Sequence, residues 1–223
     1  MHIKHLHLNS YGMKTNHLII TINREFGSGG RQIANELGSL LGMKVYDKTL
    51  LERIEKEFDM NEQEIKNTKN NSRSWWSDFT EYYTQFGAMS PFSSEYKAVT
   101  SREIYATEKR LLLRLAGKES CIVVGRNGFN IFKNQPNVMR ILLIADFDAR
   151  VKHVCEKHKV DEREAKRMIR EIDKAREEYT QTYAGVSRYD ARNYDFVLNV
   201  TNIPSHLVTV FLAQNVRLKF PKI

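Results

Sequence analysis

The sequence predicts an α/β fold, a three-layer sandwich in which a five-stranded parallel sheet lies between two layers of helices. Five short apolar or β-branched runs of strand length recur along the chain. Segments of helical periodicity separate them, which implies parallel neighbours joined by right-handed crossovers. A glycine-rich loop stands between the first strand and the first helix.

Residues 1–16 carry His2, His5 and His7 and no periodic apolar face, so they read as a frayed tail rather than a metal site. HLIITIN, His17–Asn23, is the first strand and stops at the turn-rich REFGSGG. In RQIANELGSLLG, Ile33, Leu37, Leu40 and Leu41 fall on one helical face, and Gly42 is a stop. MKVYD is a short second strand. Residues 48–70 look helical, polar and amphipathic. The next segment is polar but holds Trp75, Trp76, Phe79, Tyr82, Tyr83 and Phe86. Such a cluster suits packing of a helical insertion or an oligomer contact, and with it a homodimer; a substrate lid or partner surface is the alternative.

Lys97–Ala116 reads as a long helix, CIVVG as a third strand ending at Arg126, and MRILLIA as a fourth. Asp148–Lys157 is a basic helix. Asp161–Tyr179 is a strongly charged one, opened by an Asp161 cap with Glu164 three residues on. FVLNV is the fifth strand, and Pro204–Val216 closes the chain with proline at the helix start. No repeat or low-complexity tract breaks residues 17–223, which read as a single domain.

Composition narrows the class. Hydrophobic residues make up 41% of the 223 and charged residues 28%, the balance of a folded soluble chain. No apolar run approaches membrane-spanning length, and no secretory signal opens the sequence. Two cysteines, Cys121 and Cys155, exclude a disulfide scaffold, and the expected location is the cytoplasm. A net charge of +8 suits an anionic partner: nucleic acid, membrane surface or phosphorylated small molecule.

The position of the glycines selects among these. Gly27, Ser28, Gly29 and Gly30 present backbone N–H groups at a helix N-terminus, whose dipole favours an anion. Arg31 stands in the first turn, where a guanidinium can grip a phosphate bidentately. The common phosphate-loop pattern is GxxxxGK[ST]. Here Gly30 falls on the lysine position and Arg31 on the Ser/Thr position. The loop therefore lacks a usual point charge and a usual magnesium ligand.

INREFGSGGRQIA, followed by VYDKTLL, IVVGR and IDKAREEY, resembles the cytidylate-kinase-like family, P-loop proteins related to nucleoside monophosphate kinases. The likeness spans about residues 17–217, and GSGGR is the family's own form of the loop. It implies a P-loop sandwich with a helical acceptor-binding insertion at about 48–117 and a helical lid at about 158–192. It implies transfer of the γ-phosphoryl of Mg-ATP to a small acceptor, with CMP the first to try, and small nucleotides as partners. Arg24, Gly27, Ser28, Gly29, Gly30, Arg31, Gln32 and Asn202 would hold ATP, and Asp47, Arg126 and Lys174 the acceptor. Asp47 would also hold magnesium through water. Arg31, Arg126, Arg170, Asp173 and Arg176 would carry catalysis, the lid residues closing guanidinium groups onto the transferring phosphate. Asp173 would steady Arg176 or Arg170, and Tyr179 and Tyr183 support the lid or simply pack. The run GRNGFNIF has no carboxylate after Arg126, where the family often shows one.

Two other readings stand beside the kinase. The missing lysine and acid suit a nucleotide-binding regulatory protein with little catalysis. The positive charge suits a nucleic-acid-binding module, although no nucleic-acid motif is present.

Overall fold

Alternation along β1 (Ile19–Arg24) builds the sandwich. Ile20 and Ile22 point to one face of the sheet and Ile19 to the other, all fully buried. A strand buried on both faces needs a helical layer on each. The computed structural model describes residues 17–47 and 94–221, and both layers are present there. On one face, α1 (Gly30–Leu41) contributes Ile33 and Leu37 to the main core. The C-terminal helix, which closes the chain as Ser205–Lys219, adds Leu212 and Val216 to the same core. On the other face, α2 (Ser94–Ala116) packs Leu112 and Leu115 against Ile19, Cys121 and Val123.

The remaining strands are β2 (Lys44–Tyr46), β3 (Cys121–Val124), β4 (Val138–Ile144) and β5 (Phe196–Asn199). The sheet order is β2-β3-β1-β4-β5, and every pairing is parallel. The expected five-stranded parallel sandwich is therefore observed, with each strand within a residue or two of its sequence reading. Because β1 is central, the turns after β1 and β3 open side by side at one edge of the sheet. That is where such folds bind ligands.

Three helices complete the described chain before β5. These are the short α3 (Gly128–Ile131), α4 (Phe147–His158) and α5 (Glu162–Ala184). Asp161 caps α5 as expected, accepting the Glu164 N–H at 2.8 Å. The helix runs past the expected end at Tyr179 because its last turns have partners. Thr180 bonds Asn127, and Tyr183 stacks on Tyr105 of α2 with centroids 4.6 Å apart. Gly185, in the left-handed conformation, ends it. A single turn at Ala191–Asn193 leads into β5, and the closing helix, Ser205–Lys219, is α6. Cys121 is buried in β3, which pushes its thiol pKa up to about 12. The expectations for residues 1–16 and for the aromatic insertion lie outside the described residues, and among those described no helix is long and apolar enough to cross a membrane.

Gly38 fixes the spacing between α1 and β2. A Cβ there would lie 2.5 Å from Val45 Cγ2 and 2.8 Å from the Met43 carbonyl oxygen. Alanine is ordinarily better than glycine in a helix by about 1 kcal/mol. Here the sign reverses: Gly38→Ala is expected to destabilise the fold by about 1–3 kcal/mol, through overpacking against backbone. Urea unfolding of the two proteins measures this directly.

Candidate functional site

β1 ends on a half-buried arginine, Arg24, and the loop follows it. Gly27 and Gly29 turn the chain with φ of 84° and 76°. Gly27 is also required by space, since a Cβ would meet Val154 Cγ2 at 2.9 Å and the Arg150 carbonyl at 3.0 Å. The loop thus lies directly on α4, and Ser28 Oγ closes it by donating to the Glu25 carbonyl at 3.0 Å. After β3 the chain turns equally sharply. Gly125, Arg126 and Asn127 are all in the left-handed region, a strained conformation for the two non-glycine residues.

The end of β1, the turn after β3 and α5 enclose one pocket. Its lining includes Arg24, Arg126, Arg176 and Arg188, with Asn127 and Thr180 between them. The Asn127 side-chain oxygen accepts from Thr180 at 2.9 Å, while its amide nitrogen is buried without a hydrogen-bond partner. Four guanidinium groups and an unspent amide donor make a site for a multiply charged anion. Burial and the neighbouring cations, Arg176 and Arg188 foremost, push the Arg24 pKa well below its ordinary value. Arg176 is pushed down to about 10, by burial first and then by Arg188.

Behind this pocket stands Asp173. Its carboxylate accepts the Phe26 N–H at 2.9 Å and the Arg150 guanidinium at 2.6 Å. Arg176 and Arg188 approach it at 3.6 and 3.7 Å. Both arginines also donate to the Arg24 carbonyl. Arg150 contacts Glu25 at 3.6 Å, and Glu25 accepts the Ala145 N–H at 2.9 Å. Asp173 thus ties α5 to the glycine loop. Of the two expected partners it meets Arg176, whereas Arg170 lies 5.4 Å over the exposed-side ring of Phe147.

Arg126 is held from another direction. Its guanidinium pairs with Glu108 of α2 at 2.8 Å, both side chains more than nine-tenths buried. Tyr179 donates to the same carboxylate at 3.2 Å, and burial pushes the Tyr179 pKa far up, so it stays a neutral donor. The carboxylate that pairs with Arg126 therefore comes from α2.

The other expected residues lie outside the pocket lining. Arg31 pairs with Asp47 at 3.0 Å, Arg31 being about half exposed at 55%. Gln32 bonds Glu36 and Ser205, joining α1 to α6 rather than facing the loop. Lys174 points outward toward Glu178 at 3.8 Å. Asn202 is exposed in the turn after β5 with φ of 57°. Sequence reasoning missed Arg150, Arg188 and Glu108. Arg188 follows the lid helix within the span assigned to it, so its charge and position were a usable signal. Arg150 and Glu108 sit in helices with many charges, and only the packing singles them out.

Removing Asp173 isolates a desolvated group of cations. Asp173→Ala is expected to cost about 3–5 kcal/mol in urea unfolding, as when one partner of a buried pair is deleted. Arg170→Ala, which loses only a contact over Phe147, is expected to cost about 1 kcal/mol or less.

Comparison with known proteins agrees with this architecture. A family model described as the cytidylate kinase-like family matches residues 19–202. An uncharacterized protein from Eubacterium ventriosum has a similar structure, with a TM-score of 0.67, 24% identity, and coverage of 90% of this chain and 98% of that one. TT1252 from Thermus thermophilus aligns with a TM-score of 0.54 and 20% identity, over 91% of this chain and 98% of its own. A shikimate kinase from Acinetobacter baumannii aligns at 0.48 and 13%, over 92% and 94%. No curated protein matches the sequence. With about four-fifths of its length under the family model, and with the glycine loop, Arg126 and Asp173 all inside that span, the chain belongs to the cytidylate kinase-like family.

Proposed function

We propose that the protein is an ATP-dependent phosphotransferase of the nucleoside monophosphate kinase type. It would pass the γ-phosphoryl of Mg-ATP to a small acceptor, of which CMP is the first to test. The observation that carries this is the pocket between the end of β1, the turn after β3 and α5, lined by Arg24, Arg126, Arg176 and Arg188. Phosphoryl transfer needs in-line positioning and neutralisation of charge on the transferring oxygens. Guanidinium groups from separate elements, Arg24 at the end of β1, Arg126 after β3 and Arg176 in α5, would supply both. Family membership supports the same chemistry.

The roles divide by position. The loop backbone and the α1 N-terminus would hold the ATP phosphates. Arg126, braced by Glu108, would grip the acceptor's phosphate. Arg176 and Arg188 would bear on the transferring group, with Asp173 setting their positions. A magnesium ion would sit near Asp47 rather than in the loop. The hydroxyl position of the loop is Arg31, and among the described residues no cluster of three acidic, histidine or cysteine side chains forms. Asp47 would hold the ion through water, in the manner of sites where magnesium keeps most of its waters and takes substrate phosphates as ligands. When bound, it would neutralise phosphate charge.

A second reading, a nucleotide-binding regulatory protein, is favoured by one feature. Asp173 engages a loop N–H and three arginines, the groups that a transferring phosphate would otherwise draw on.

Purified protein with Mg-ATP, screened against nucleoside monophosphates, nucleosides and a blank while ADP is read, separates the two. The kinase gives acceptor-dependent ADP over many turnovers. Arg31→Ala and Arg176→Ala are each expected to lower that rate at least about tenfold. The regulatory protein gives ATP-induced thermal stabilisation and a flat ADP trace.

A further inference from the structure

The lysine missing from the glycine loop has a counterpart in an arginine that the same pattern does not expect. In GxxxxGK[ST], the second glycine falls on Gly29 and the lysine on Gly30, so the first glycine falls on Arg24. Glycine and a cation have changed places within one loop. The structure brings the two positions into contact. A Cβ on Gly30 would lie 2.7 Å from Arg24 Cβ and 2.9 Å from Arg24 Cγ. Gly30 does not have a positive φ, so its backbone would accept any residue. It is bare because the stem of Arg24 lies against it. At the far end, a Cβ on Gly125 would collide with Arg24 Nη1. The side chain therefore runs from the loop's first residue, along Gly30, to the turn after β3, and its tip lines the arginine pocket.

The charges around it are equally specific. Arg31 has Asp47, Arg126 has Glu108, and Arg150, Arg176 and Arg188 share Asp173. Among the described residues Arg24 has no carboxylate partner, and the charges that bear on it most strongly are four arginines. A guanidinium held among cations is held at a cost in stability, which an anion would relieve.

We propose that Arg24 takes over the work of the loop lysine, its guanidinium reaching the β- and γ-phosphates of a nucleoside triphosphate from the opposite end of the loop. This rests on the glycine loop being the triphosphate site. A guanidinium offers two parallel donors where an ammonium offers a point charge, so Arg24 orients the terminal phosphates as well as neutralising them. It also explains why a lysine cannot simply be present at position 30: its Cβ and the Arg24 stem exclude each other.

The test is a set of four proteins: wild type, Arg24→Met, Gly30→Lys, and the double variant Arg24→Gly/Gly30→Lys. ATP, ADP and AMP affinities are measured by calorimetry, with thermal melting of each free protein. The expected pattern is loss of ATP affinity by about tenfold or more in Arg24→Met with AMP affinity unchanged. Gly30→Lys alone should bind ATP poorly, and the double variant should recover most of the wild-type ATP affinity. Free Arg24→Met should melt at or above the wild-type temperature, because one of several like charges is gone; a purely structural Arg24 would lower it. Wild-type protein that binds no nucleotide would overturn the loop reading and this assignment with it. Wild-type protein that binds ATP while Arg24→Met binds it equally well, or a double variant no better than Gly30→Lys, would overturn the assignment alone.

Discussion

Asp173 is a single carboxylate on α5 with the Phe26 N–H and Arg150 bonded to its oxygens and Arg176 and Arg188 close by. Much of the site follows from this cluster. Three guanidinium groups packed together repel one another, and burial strengthens the repulsion. One shared carboxylate makes the arrangement tolerable, and the Arg24 carbonyl, accepting from Arg176 and Arg188, adds to it. The same carboxylate fastens the lid-like helix to the glycine loop. The positions of these arginines and the seating of α5 against the glycine loop therefore depend on one group. A phosphate entering the pocket would compete with Asp173 for the same donors, so ligand charge and helix position are coupled through this group.

Two kinds of pairing divide the positive charge. Arg126 is buried with Glu108 and stiffened by the left-handed backbone at Arg126 and Asn127. Strain of this kind persists only where packing over-determines it. Here Gly128 packs against Val123 and Thr21, and Phe129 and Phe132 are buried, so the turn is anchored on its C-terminal side. Arg31 and Asp47, by contrast, form a solvent-facing pair with little energetic worth and much freedom. Packing thus fixes Arg126 in the pocket lining, while Arg31 lies outside that lining.

The sheet was legible because its signals are local. β1, β3 and β4 are short apolar runs largely buried on both faces, and the edge strands β2 and β5 are short runs bounded by turn residues. The Asp161 cap was legible for the same reason, since donor and acceptor are three residues apart. The end of α5 was not, because its last turns are held by Asn127 and Tyr105, residues far away in sequence. The site shows the same division. The glycine loop, Arg126 and Arg176 stand in recognisable runs. Glu108 and Arg150 do not: each is one charged residue among many on a helix, and its identity as a partner exists only in the packing. Arg170 failed to join the pocket on the same grounds. Helical spacing puts it near Asp173 in sequence, yet its face of α5 turns toward Phe147 of α4.

The glycine–lysine exchange shows why a motif is weaker evidence than the space it describes. A pattern match scores position 30 as a loss and passes over position 24 altogether. In space the two positions are one feature, because the stem of Arg24 fills what a side chain on residue 30 would occupy. What phosphate binding demands is a cation at the pocket and backbone N–H groups around it, and the chain can launch that cation from either end of the loop. Launching it from the first position has a consequence that the lysine form lacks. The carbonyl of Arg24 itself accepts from Arg176 and Arg188, so backbone and side chain of one residue engage the lid arginines and the pocket together. Movement of α5 would then be felt at Arg24 directly, through a single residue and not through the length of the loop.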